Sequence, residues 1–111
     1  MEEITFEEFT QFEIRTGTIL EANFNPKAFK PAYKLKIDFG PLGIKFSSAQ
    51  ITKNYSKENL IGLQITAVVN FPVKRIAGVK SEVLVLGVYS QNKDVVLLTL
   101  DESVEDGLLV G

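Results

Sequence analysis

The sequence has no histidine, no cysteine and no tryptophan among its 111 residues. Without cysteine there is no disulfide framework and no redox clue to compartment. Without histidine the commonest general base is missing, and without both residues the usual zinc ligands are missing too. No apolar run approaches the ~20 residues that span a bilayer, so membrane insertion is not expected. A glycine-rich phosphate loop is absent, as is any nucleophile motif, so the expectation is a protein that binds rather than catalyses, with no cofactor and no metal. The chain opens Met1-Glu2-Glu3, acidic where a signal peptide is basic, which points to the cytoplasm. On that expectation the glycosylation-like triplet Asn54-Tyr55-Ser56 is coincidence.

What is present is globular composition, with 45% apolar and 23% charged residues. The length suits one domain, residues 1–111, with one core. A formal charge of −2 conceals a division along the chain. The first 13 residues carry five acids and no base, and the last 11 carry four acids and no base. All 12 Lys and Arg residues therefore lie in the middle, against five acids. Local distribution of this kind matters more for an anionic partner than the net sum.

Thr5-Phe6-Glu7-Glu8 fits a capping box at the start of a short helix, with Phe6, Phe9 and either Phe12 or Glu13 following at helical spacing as an aromatic stripe. Ile14 to Phe24 reads as a strand in which Gly17 suggests a bend or bulge. The segment 25–32, with two prolines, is a loop. Tyr33 to Phe39 alternates cleanly, with Tyr33, Leu35, Ile37 and Phe39 on one face and Lys34, Lys36 and Asp38 on the other. A turn at 40–43 leads to a strand from Ile44 to about Ile51. Ser56 is an N-cap for a short helix that Gly62 closes. Gln64 to Phe71, Glu82 to Val88 and Val95 to Leu100 are further strands, the last two joined by a turn at 91–94.

The order is an all-β meander of three strands, a short helix, then two or three more strands. Five strands with a helix between the third and fourth is the arrangement of a five-stranded OB-fold Greek-key barrel, here with an N-terminal helix and extra C-terminal strands. Periodicity leaves other small β-barrels open. The central stretch is 68–87, where Pro72 ends one strand and Gly78 supplies a residue free to take positive φ. Between the flanking strands this connection carries Lys74, Arg75 and Lys80.

Phe12-Glu13-Ile14-Arg15-Thr16-Gly17-Thr18-Ile19 resembles the opening signature of the tRNA-binding domain of the methionyl-tRNA synthetase C-terminal type. Asn70, Lys74, Arg75, Gly78 and Ser81 fall where that family keeps its Asn, basic pair, Gly and Ser. Residues 43–53, Phe46 aside, and the motifs 70–72, 75–78 and 80–87 resemble the CsaA branch, whose members are export-related chaperones. The chain has Ala49-Gln50 where synthetase-type domains tend to carry Ser-Gly, and Val83-Leu84 where they carry Gly-Met. Both departures follow the chaperone branch. The resemblance implies an OB-fold homodimer that binds tRNA, unfolded or pre-export polypeptides, or both. The alternative is a free-standing tRNA-binding protein with no chaperone role.

For tRNA the expected residues are Asn70, Lys74, Arg75, Lys80, Ser81, Lys53 and Lys45. A guanidinium grips phosphate with two parallel hydrogen bonds while an ammonium acts as a point charge. Asn70 and Ser81 add directional bonds to a base or sugar, the alternative for Asn70 being backbone bonding at the strand end. Lys34, Lys36 and Arg15 widen the positive surface from its periphery. Tyr33 and Phe46 are candidates for base stacking, or else core. For peptide the expected pocket residues are Phe29, Phe46, Ile76 and Val79. The Phe stripe and the apolar tail 108–110 are expected either to meet a second subunit or to close the barrel's own ends.

Overall fold

The alternation from Tyr33 to Phe39 builds the middle of a twisted sheet. In the computed structural model, which describes residues 1–111, Leu35, Ile37 and Phe39 are completely buried, and Lys34 lies exposed on the outer side. These residues form β2 (Tyr33–Asp38), which pairs antiparallel with β1 (Ile14–Phe24) and with β3 (Ile44–Ala49). On its other side β1 pairs antiparallel with β4 (Gln64–Val68), which pairs in turn with a short β7 (Leu84–Val85). The sheet order is thus β3-β2-β1-β4-β7. Counting reversals, β3 and β7 both run in the direction of β1, and the sheet curls until β3 lies beside residues 82–83. The Glu82 N–H donates to the Phe46 carbonyl at 2.8 Å, and the buried Ser47 hydroxyl donates to the Val83 carbonyl at 2.9 Å. That seam closes the five-stranded barrel of OB-fold type expected from the strand order.

The barrel is filled by Ile19, Leu35, Ile37, Phe39, Ile65 and Ala67. One end is plugged by Leu60 from α2 (Lys57–Leu60), whose N-cap Ser56 accepts from the Asn59 N–H. The first helix, α1 (Phe6–Phe9), is a single turn held by the expected capping box between Thr5 and Glu8. The acidic tail adds to the half of β1 that β2 leaves bare. The Gly107 N–H reaches the Thr16 carbonyl at 2.7 Å, and the Val110 N–H reaches the Ile14 carbonyl at 2.8 Å.

Four local expectations change. The bulge of β1 falls between Ile19 and Glu21, not at Gly17. Gly17 instead leaves room for Phe39, since a Cβ there would lie 2.7 Å from that ring. The strand from Gln64 ends at Val68, ahead of the expected Phe71, because Asn70 turns away to bind the N-terminal segment. The connection read as a basic loop is itself a hairpin, β5 (Lys74–Ile76) and β6 (Val79–Ser81), around a two-residue turn. Ala77 and Gly78 both take positive φ there, 49° and 82°, as a type I′ turn requires. The next expected strand divides into β7 and β8 (Gly87–Tyr89), and β8 pairs with β9 (Val95–Leu97). No helix is long and apolar enough to cross a membrane.

Gly17→Ala tests the close approach of β1 to Phe39. The added methyl should cost about 1–3 kcal/mol, as overpacking does in well-filled cores. Urea unfolding should show a lower midpoint at unchanged slope, and an unchanged midpoint would mean that Phe39 moves aside freely.

Candidate functional site

In a β-strand adjacent side chains point to opposite faces, so Lys74 and Arg75 cannot share one. In the hairpin Arg75 is opposite Lys80, while Lys74 is opposite Ser81 and Ile76 is opposite Val79. The ribbon therefore has two chemically distinct sides. On one side Arg75 and Lys80 are exposed cations. On the other, Val79 is 8% exposed, Ser81 Oγ accepts from the Ser48 N–H at 3.2 Å, and Lys74 and Ile76 border a cleft.

The cation side continues onto the outer wall of the barrel. Lys80 Nζ lies 3.3 Å from Glu82 Oε1, and Glu82 Oε2 accepts from the Phe46 N–H at 3.4 Å. Phe46, opposite Lys36 on β2, has the Lys34 ammonium 5.0 Å from its ring centre, a cation–π distance. Arg75, Lys80, Phe46, Lys34 and Lys36 are thereby linked by successive contacts and strand pairings. Lys36 is partly compensated by Glu21 at 3.0 Å. Arg75 and Lys74 have no carboxylate among the ion pairs of the structure.

The cleft on the opposite side has a volume of about 400 Å³. Phe71, Pro72, Ile76, Val83 and Leu84 give it an apolar lining, with Lys74 and Glu82 as its only charges. A second depression shares Ser48 and Ile76 with it and runs towards Phe29, whose side chain is fully exposed. The turn that separates these surfaces is braced from loop 25–32, where Asn25 Nδ2 donates to the Ala77 carbonyl at 3.3 Å.

The expected residues are distributed unevenly over this geometry. Asn70 spends its amide on the chain itself, accepting from the Glu13 N–H at 2.9 Å and donating to the Gln11 carbonyl at 2.8 Å. Phe12 then packs edge-on against Phe71, with ring centres 6.1 Å apart. Arg15 is likewise committed, to Glu13 and to the Gly107 carbonyl. Lys53 lies in a separate polar depression with Lys30 and Lys93, and its ammonium is 3.8 Å from Asp94. Lys45 is half-buried opposite Ile37. Of the expected peptide residues, Ile76 and Phe29 line the clefts, Phe46 belongs to the cation side, and Val79 is buried and lines neither cleft. Phe71, Leu84 and Glu82 were not anticipated as site residues. Their only signal was position beside the basic stretch.

A family model described as "Putative tRNA binding domain" matches residues 14–108. Among solved structures the chain is similar to the chaperone CsaA from Bacillus anthracis, at 51% identity and a TM-score of 0.93, over 99% of this chain and 100% of that one. It is also similar to the CsaA chaperone protein from Picrophilus torridus, at 51% identity and a TM-score of 0.91, over 98% and 100% of the two chains. The methionine–tRNA ligase of Porphyromonas gingivalis is 39% identical over 85 residues, 77% of this chain. Those residues make up 12% of the ligase, so the chain spans only a small part of the length of that curated relative.

Proposed function

The chain belongs to the tRNA-binding domain family, and from that premise we propose that it is a non-catalytic cytoplasmic binding protein with two ligands. Its cation side takes tRNA, and its apolar cleft takes unfolded or pre-export polypeptide. The observation that carries the first half is the run of Arg75, Lys80, Phe46 and Lys34 along one surface. Two cations at the hairpin meet phosphate, Arg75 with two parallel bonds and Lys80 as a point charge. Phe46 offers an aromatic face for a base, and Lys34, displaced from that face, turns to the neighbouring phosphate. Lys74, facing the cleft, serves the second ligand more than the first. Asn70 acts by tying Gln11 and Glu13 to the end of β4, and Ser81 by holding the hairpin to Ser48, and neither by touching RNA. Lys53 and Lys45 extend the positive field at a distance.

The peptide half is supported by the apolar cleft and by the likeness to CsaA chaperones over essentially whole chains. A cleft of this size holds two or three apolar side chains of an extended segment. Phe29 and Ile76 widen its entrance.

The protein is proposed to act as a homodimer. Phe6 and Leu109, from the aromatic stripe and the tail, are 69% and 59% exposed, and the opposed pair Val88 and Val96 on the β8–β9 hairpin is 52% and 44% exposed. Singly such residues need no explanation, but apolar exposure on several elements suits burial against a second copy. Sedimentation equilibrium at micromolar concentration should give twice the 12.3 kDa chain mass, and Val88→Asp should weaken association. A monomeric wild type would remove the homodimer from the account.

The ligand assignment is tested by a salt titration of tRNA binding. Log affinity should fall steeply with log salt, and Arg75→Glu/Lys80→Glu should reduce the slope by about 2. Lys74→Glu should change it less. The peptide arm uses an unfolded precursor, whose affinity should respond weakly to salt and drop with Leu84→Asp. Salt-independent tRNA binding excludes phosphate contact, while tRNA binding with no precursor binding leaves a tRNA-binding protein without chaperone function.

A further inference from the structure

We infer that Glu82 sets the charge preference of the apolar cleft, and that an anion bound at Lys80 switches this preference on. The inference rests on the two-ligand reading above and adds the class of peptide that the cleft selects. Glu82 stands where the two sides of the ribbon meet. Its carboxylate is the only acid lining the cleft, yet it pairs with Lys80, whose alternating position puts it on the cation side. The two partners differ in freedom. The Glu82 side chain is 18% exposed and its backbone N–H is fixed in the barrel seam by the Phe46 carbonyl. The Lys80 side chain is 56% exposed and its ammonium has no other recorded partner. When phosphate draws the lysine away, the carboxylate therefore stays behind.

In the free protein Lys80 pairs with Glu82 and Lys74 faces the same space, so cations outnumber the one carboxylate and the cleft disfavours a basic ligand. With Lys80 engaged by RNA, the half-buried carboxylate loses its paired cation, and Lys74 is the one cation left in the cleft. Partial burial makes such a charge interact more strongly than it would in open solvent. An extended peptide that places apolar side chains against Phe71, Ile76 and Leu84 and one Lys or Arg beside Glu82 then gains an ion pair. Its neutral analogue gains nothing. Linkage makes the effect reciprocal, so the cationic peptide strengthens RNA binding by the same factor that RNA strengthens the peptide.

The experiment compares a Leu-rich octapeptide carrying one Lys with its Lys-to-Gln analogue, by fluorescence anisotropy at low ionic strength. Each is measured against the wild type, Lys80→Ala and Glu82→Gln, with and without saturating tRNA. Lys80→Ala should raise the preference for the Lys peptide about fivefold without RNA, at the low end of usual coupling between sites. Saturating tRNA should produce the same rise in the wild type and none in Glu82→Gln, which keeps a neutral group of equal size in the seam. Lys80→Ala with an unchanged preference overturns the inference alone, provided that the wild type binds both peptides. Displacement of peptide by tRNA also overturns it, because the two ligands would then share one side. A wild type that binds neither peptide overturns both this inference and the peptide half of the proposed function.

Discussion

The structure depends on the seam between β3 and residues 82–83. An open five-stranded sheet would leave unpaired backbone at both edges and a solvated inner face. The bonds from Glu82 to Phe46 and from Ser47 to Val83 join those edges and let the core fill from all sides. They also fix where the chain must return after leaving β4 at Val68. The hairpin 74–81 has to fit within that excursion, so the seam determines which of its sides faces the barrel and which faces solvent. The separation of Lys74 from Arg75 and Lys80 follows from the pleat and from this return point together.

Around the seam, residues that carry polarity in the sequence mostly hold structure. Asn70 ties Gln11 and Glu13 to the end of β4, and Phe12 on Phe71 brings the acidic N-terminal segment beside the residues that open the cleft. Asp106 accepts from Thr18 at 2.7 Å and from Gln64 at 3.0 Å, which fastens the acidic tail to β1 and β4. Arg15 joins the two acidic ends, donating to the Glu13 carboxylate and to the Gly107 carbonyl.

Much of this was legible in the residues alone. The alternation of Tyr33 to Phe39 gave the buried face of β2 correctly, because a strand of six or seven residues shows its period clearly. Thr5 with Glu8, and Ser56, are local capping signals that need no tertiary context. The hairpin was not legible for two reasons. Its strands are three residues each, too short to show a period, and its turn is Ala77-Gly78 where Asn-Gly or Asp-Gly would have announced it. Hence a basic pair adjacent in sequence was read as one cluster, although the pleat divides it. Gly17 was read as a bend because a glycine within a strand has two common uses, and only the position of Phe39 distinguishes them. Glu82 carries no sequence signal of its role, which exists only once Lys80, Phe46 and the cleft are assembled around it.

The central claim is that one short ribbon presents two separate binding surfaces. The most direct measurement is a tRNA titration of the isotope-labelled protein followed by amide chemical shifts. The account predicts that Lys34, Phe46, Arg75 and Lys80 respond together, while Phe71, Ile76 and Leu84 stay near their free positions until peptide is added. A first response at Phe71, Ile76 and Leu84, with Arg75 and Lys80 unmoved, would contradict it.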